Sequence, residues 1–151
     1  MENQTQFVQF LIDAKRNTYA GGGKLATPSR PGSKDLSYAK DGYSYHDTYL
    51  GDIDFIGEEA VWLAGKAIWG MNYYGVMLTD EVPAEFIQCL KGALLRVPPE
   101  APYRGPARFR FANLEYACSW RGEIDRFEGS EHITLDGKEI YRLLFHGGSL
   151  R

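Results

Sequence analysis

Residues 55–75 recur, after a shift of 72 positions, as residues 127–147, and this self-similarity constrains the fold more than any other feature of the chain. The identical pairs are Phe55/Phe127, Gly57/Gly129, Glu59/Glu131, Leu63/Leu135, Gly65/Gly137, Lys66/Lys138, Ile68/Ile140 and Gly75/Gly147. That is eight identities in 21 positions, where average composition would give about one. Conservative pairs fill the gaps: Val61/Ile133, Trp69/Tyr141, Met71/Leu143 and Tyr73/Phe145. A shift of 71 pairs Tyr45/Tyr116, Gly51/Gly122, Ile53/Ile124 and Asp54/Asp125, and a shift of 76 pairs Phe10/Phe86, Leu11/Ile87 and Lys15/Lys91.

Periodicity says what is repeated. Residues ~5–16 put Phe7, Phe10, Leu11 and Ala14 on one helical face, and residues ~83–96 do so with Phe86, Ile87, Leu90 and Leu94, Pro83 standing in the first turn. Alternating stretches follow each helix. Segments 36–40 and 43–50 meet at Asp41-Gly42, 58–64 and 67–74 at Ala64-Gly65-Lys66, 107–112 and 114–121 at Asn113, and 130–135 and 139–146 at Asp136-Gly137. The expectation is an α+β fold: a helix plus four antiparallel strands in tandem duplication, forming one curved antiparallel sheet with helices on one face. The repeats span approximately 4–78 and 80–151 of a single 1–151 domain.

Strand residues alternate between faces, so the apolar set of the second copy identifies the inward positions of the first. Val61, Leu63, Trp69, Met71 and Tyr73 are assigned to the core. Glu58, Ala60, Trp62, Gly70, Asn72 and Tyr74 are assigned to the open face. There the second copy replaces Glu58, Trp62, Asn72 and Tyr74 by Ser130, Thr134, Leu144 and His146. A Trp and a Tyr beside a carboxylate and an amide make a candidate recognition patch. Glu59, kept as Glu131, reads as architectural, satisfying backbone groups at a strand start. Asp47 falls in register with Tyr43, Tyr45 and Tyr49 and has Cys118 as its counterpart. It is expected to be a partly buried carboxyl of raised pKa, and a hydrogen bond to tyrosine hydroxyls accounts for it equally well.

The long connection 18–35, with Tyr19 and Arg30, is expected to fold over the sheet as a lid, and Arg104 in 102–106 occupies the matching place. Paired arginine loops suit an anionic ligand, though bridges to neighbouring acids suit them equally. Gly21-Gly22-Gly23-Lys24 lacks phosphate-loop spacing and follows a helix, so it reads as a helix stop. His46, His132 and His146 lack a ligand spacing, so no metal, no cofactor and no catalytic residue is expected. The chain has a formal charge of -3 and a pI near 5.6, without the basic surplus that binds a phosphate backbone. Direct nucleic-acid binding is disfavoured. Two cysteines make neither a metal site nor a disulfide framework, and no long uncharged apolar run exists, so a cytoplasmic chain with reduced thiols and no membrane is expected.

The stretches TYAGGG (18–23), SRPGS (29–33), DTYLG (47–51), FIGEEAVW (55–62), WGMNYYG (69–75), PYRGP (102–106) and FHGG (145–148) resemble, in that order, family 5680 of the domains of unknown function. The resemblance implies a small bacterial protein, of a kind that stands alone or is attached to helix-turn-helix regulators, with no activity to carry over. With Met1 a few residues ahead of the first helix, no DNA-binding segment is expected before it, and a regulator role would need a partner chain. The topology is also similar to duplicated effector-binding modules and to duplicated inhibitor proteins. Three functions follow as expectations. The first is a non-catalytic module binding a small planar or anionic ligand at Glu58, Trp62, Asn72 and Tyr74, with Tyr19, Arg30, Asp47 and Arg104 around it. The second is a protein-interaction or inhibitor module. The third is an enzyme with Glu58 or Asp47 as general acid or base.

Overall fold

The computed structural model describes residues 2–151, with side chains from residue 4 onward. The elements in order are α1 (Glu2–Arg16), β1 (Lys34–Lys40), β2 (Tyr43–Gly51), β3 (Phe55–Leu63), β4 (Lys66–Met77), α2 (Phe86–Leu94), β5 (Arg108–Phe111), β6 (Leu114–Glu123), β7 (Arg126–Leu135) and β8 (Lys138–Ser149). All eight strands join one antiparallel sheet in the order β1-β2-β3-β4-β8-β7-β6-β5.

This corrects the expected fold class. The molecule is mostly sheet, 50% strand and 15% helix, with two short helices among the described residues, and is not a tandem duplication of helix-plus-four-strand units. The physical reason lies at the centre. The twelve-residue strands β4 and β8 pair over nine positions, from Trp69↔Ser149 to Met77↔Tyr141. That ladder joins every strand into one hydrogen-bonded layer, so the cooperative unit is the whole sheet. The second helix falls short of the sequence reading for a local reason. Pro83 starts a turn whose carbonyl accepts from the Phe86 N–H, so α2 begins three residues late, and it stops well before Pro98.

The hairpins turn where Gly or Asp permits it. Asp41-Gly42, Ala64-Gly65 and Asp136-Gly137 all place both central residues at positive φ, from 50° to 84°, the type I′ geometry whose twist matches the flanking strands. In the β5–β6 hairpin the positive φ of 54° falls on Ala112, not on Asn113.

Cross-strand register fixes the faces. Tyr45 opposes Val61, Val61 opposes Trp69, Tyr73 opposes Phe145, Tyr141 opposes Ile133 and Ile133 opposes Tyr116, and all of them are buried on one face. Both helices cover that face: Phe10 of α1 stacks on Tyr43 at 5.0 Å, and Phe86 of α2 meets Tyr141 edge-on at 5.1 Å. The core is therefore one aromatic-rich layer under two helices, where each buried ring contributes the large apolar area that drives folding. Leu63, expected inside, is 38% exposed because it sits at the hairpin end of β3, beside the Ala64-Gly65 turn.

Candidate functional site

Two carboxylates lie fully inside the helix-covered layer, and each has its own cation. Glu59 accepts from Lys15 Nζ at 2.6 Å and from the Tyr45 hydroxyl at 2.5 Å, and Lys15 also donates to the Tyr103 carbonyl at 2.8 Å. Glu131 takes Arg104 through Nε at 3.1 Å and Nη2 at 2.6 Å, together with the hydroxyls of Tyr116 and Tyr141 at 2.5 and 2.7 Å. Buried charge is tolerated only when paired and hydrogen-bonded in this way. Glu59 and Glu131 are thus architectural, but their partners are side chains from distant segments and not the strand-start backbone expected from sequence. Burial and the Glu131 carboxylate act in opposite directions on Arg104, and the carboxylate holds the guanidinium firmly protonated.

Asp47 is different. It opposes Glu59 directly across β2 and β3, is 5% exposed, and makes no ion pair among the described residues. Its Oδ1 accepts from the Tyr73 hydroxyl at 2.6 Å. That bond depends on Gly57, where a side-chain Cβ would come within 2.4 Å of the Tyr73 oxygen. Burial first, and then the neighbouring Glu59 charge, push the Asp47 carboxyl up to about 7, against the Tyr73 bond and the Lys15 and Arg104 charges that pull it down. The same burial raises the Tyr73 and Tyr45 hydroxyls well above the usual range.

Asp47, Tyr73 and Arg104 line a cavity of about 340 Å³ between α2 and the sheet, a size suited to a small molecule. Its walls are apolar: Phe55 and Met77 from the sheet, with Phe86 and Leu90 from α2. Ile53, Val82 and Ile87, at 64%, 44% and 48% exposed, rim the mouth. Tyr19 closes one side, edge-on to Tyr49 at 6.1 Å.

The eight residues singled out from sequence do not form one site. Tyr19, Asp47 and Arg104 converge on the cavity. Glu58, Trp62, Asn72 and Tyr74 lie on the opposite face. Glu58 faces Asn72 across β3 and β4, but Tyr74 pairs with Ile56, six residues along β3 from Trp62, about 20 Å at strand rise. Arg30 donates through Nη2 to the Thr48 hydroxyl, which also points to the open face, so the two arginines sit on opposite sides of the sheet. The 18–35 connection likewise divides. Its start carries Tyr19 to the cavity, while residues 29–33 wrap Asp35, whose carboxylate accepts from Ser29 and Ser33 and contacts His46 Nε2 at 2.6 Å. Burial would raise the Asp35 carboxyl, but these bonds outweigh it and hold the group well below its ordinary value.

Sequence reasoning missed the apolar wall from α2 and the loop before it. Ile87 was read as part of an inward stripe, yet it stands at the cavity mouth. Ser130 and His132 are named from sequence only as outward residues, and their link to Glu139 is not foreseen. On the open face His132 Nε2 lies 3.2 Å from Ser130 Oγ and its Nδ1 2.5 Å from Glu139. The spacing is that of a nucleophile relay, on a strand that the β6 and β8 ladders flank on both sides, with a register shift between Ile133 and Thr134. Among the described residues no group of three or more His, Cys, Asp or Glu side chains is placed to hold a metal, and no helix is long and apolar enough to cross a membrane.

The fold and cavity define a class, a mostly-β domain with a helix-roofed, apolar cavity over one unpaired carboxyl. The chain matches the family described as a domain of unknown function, DUF5680, over residues 47–150, and it belongs to that family. The match begins at Asp47, so TYAGGG and SRPGS lie outside it. No curated protein and no solved structure matches the chain.

Proposed function

We propose that this protein is a non-catalytic small-molecule binding module whose ligand enters between α2 and the sheet and rests on Asp47. The observation that carries this reading is the joining of a 340 Å³ apolar-walled cavity to a buried carboxyl without an ion-pair partner. The walls supply the apolar area that drives binding, and the carboxyl fixes orientation. The site so proposed keeps Tyr19, Asp47 and Arg104 of the expected residues and transfers recognition from the open face to the helix face.

Thermal-shift screening with a metabolite panel tests it. Ligand bound at 100 times its Kd stabilises by about 2.7 kcal/mol, a clear shift in Tm. The shift should vanish in Ile87→Trp, which fills the mouth, and persist in Asn72→Ala. A shift with the reverse pattern would return the site to the open face.

A protein-interaction role has one observation in its favour. Ile56, Tyr74 and Leu144 adjoin in register on the open face, each at least half exposed, an apolar stripe across three strands. Sedimentation of wild type and Leu144→Asp with and without candidate partners would decide it. An acid–base enzyme would have Asp47 alone to work with, since Glu58 lies on the far face.

A further inference from the structure

On the reading that the cavity holds a ligand, its charge distribution names the ligand's class. Five ionisable groups are buried on the helix-covered face, Lys15, Asp47, Glu59, Arg104 and Glu131, and of these Asp47 and Arg104 line the cavity. Lys15 is matched to Glu59 and Arg104 to Glu131 at ion-pair distance, 2.6 Å in each case. Two cations thus face three carboxylates, and Asp47 is the one left over. Its Oδ1 is occupied by Tyr73, whereas Oδ2 accepts no hydrogen bond from any described residue. Every described side-chain nitrogen or oxygen sealed from solvent has a partner. Oδ2 therefore meets open space, and Asp47 lines both this cavity and a cleft of about 30 Å³ beside α1.

The surrounding rings favour the same sign of charge. Tyr19, Tyr49 and Tyr73 line the cavity, and each already holds a protein cation against its ring: Lys91 at 5.0 Å, Lys34 at 5.5 Å and Arg104 at 5.4 Å. Lys34, at the cavity, and Lys91, outside its lining, are both partly exposed, so solvent screens their repulsion, and Lys34 also approaches Asp52 at 3.9 Å. Beyond the rings the wall is apolar through Phe55, Phe86 and Leu90.

We infer that the ligand is an amine with an aromatic or branched aliphatic body, its ammonium donating to Oδ2 of Asp47 among the tyrosine rings and its body lying against α2. The groups facing Asp47 are Glu59 from β3, Tyr73 from β4, Lys15 from α1, Tyr19 from the turn after α1, and Arg104 from the loop before β5. Of these, Glu59 disfavours ionisation of Asp47 most, and a bound cation would offset that repulsion. Below about pH 7 the amine must therefore expel a proton from Asp47 as it binds.

The test is titration calorimetry of the full chain with three probes of one shape: 2-phenylethylamine, 2-phenylethanol and 3-phenylpropionate. At pH 8 the amine should bind at least tenfold more tightly than the alcohol, and the carboxylate more weakly still. Asp47→Asn should cost the amine at least tenfold and leave the alcohol within about twofold. In wild type the amine's affinity should fall up to about tenfold between pH 7 and 6, with heats that depend on the buffer's ionisation enthalpy as a released proton requires. Should Asp47→Asn fail to fold, that wild-type proton release still decides the matter. An alcohol or carboxylate that binds as tightly as the amine, yet is blocked by Ile87→Trp, overturns the cationic ligand and spares the cavity. Binding by none of the three, or binding that Ile87→Trp leaves unchanged, overturns the cavity reading as well.

Discussion

The sheet carries two corresponding buried clusters, one on each side of the β4–β8 ladder, and they differ in what was added to a shared frame. On one side Asp47 opposes Glu59 and Tyr49 opposes Gly57; on the other Cys118 opposes Glu131 and Trp120 opposes Gly129. Both glycines make room for a ring, Tyr73 over Gly57 and Phe145 over Gly129. The second cluster is closed. Its carboxylate is bonded to Arg104, Tyr116 and Tyr141, Cys118 is a buried thiol pushed up to about 12, and Tyr103 fills the space by stacking on Phe127 at 3.8 Å and 10°. The first cluster has one more carboxyl, Asp47, which takes the Tyr73 hydroxyl, and a cavity above them. A frame that one side shows to be stable with a thiol and a phenyl ring has no packing need for Asp47 and the Tyr73 hydroxyl. That surplus of buried polarity is what the proposed site rests on.

The largest expected effect breaks the closed side. Arg104→Met leaves Glu131 buried without its cation and should cost about 3–5 kcal/mol in urea unfolding. A loss under about 1 kcal/mol would mean that the tyrosine hydroxyls alone sustain Glu131. Next comes the open side, through pH. The folded pKa of Asp47, about 7, lies above its ordinary value. The stability it contributes is therefore fully present below about pH 4 and lost as pH rises through about 7. Between pH 5 and 8 wild type should lose on the order of 2–4 kcal/mol relative to Asp47→Asn, which does not titrate. Parallel curves for the two proteins would place Asp47 in water. Smaller again is Gly57→Ala, whose Cβ would stand 2.4 Å from the Tyr73 oxygen. Overpacking of this kind costs about 1–3 kcal/mol. Gly129→Ala should cost as much against Phe145, but only Gly57→Ala should also alter the pH dependence between 5 and 8, because only Tyr73 reaches a carboxyl.

Self-similarity made both hairpin sets legible, since Asp-Gly and Ala-Gly turns between alternating stretches are local signals. What it did not contain was the joining of β4 to β8. One curved sheet is expected from the sequence, but nothing in Trp69 to Met77 says that its free edge pairs with Tyr141 to Ser149 in the ladder at the centre. Helix lengths were less legible because an apolar stripe marks a face, not a length: α1 runs longer than its stripe and Pro83 cuts α2 short. Of the site, Asp47 was legible because an acid stood in a tyrosine register, and Tyr19 and Arg104 because their loops were conspicuous. Glu58, Trp62, Asn72 and Tyr74 were chosen as departures from the second copy. Departure on an exposed strand face is cheap, however, and selects nothing by itself. The proposed site uses an inward departure instead, Asp47 for Cys118, together with Tyr73 for Phe145, a pair that the sequence shows only as conservative.

The smallest expected effect removes a difference between the two sides at their turns. Ala64-Gly65 and Asp136-Gly137 adopt the same type I′ geometry, with φ 50° at both Ala64 and Asp136. The left-handed conformation costs an alanine roughly 1 kcal/mol, because its Cβ crowds the following carbonyl, whereas aspartate and asparagine recover part of that through local hydrogen bonds. Ala64→Asp should therefore stabilise the protein by about 0.5–1 kcal/mol, raising Tm by roughly 1–4 °C for a chain of this size. The substitution lies at the hairpin end of β3, away from the cavity, so amine binding and the pH dependence between 5 and 8 should be unchanged. An unchanged Tm would show that the β3–β4 turn is relaxed by its own end of the sheet. Destabilisation would show that the added charge meets another acid there, and the two sides would then differ at their rims as well as at their cores.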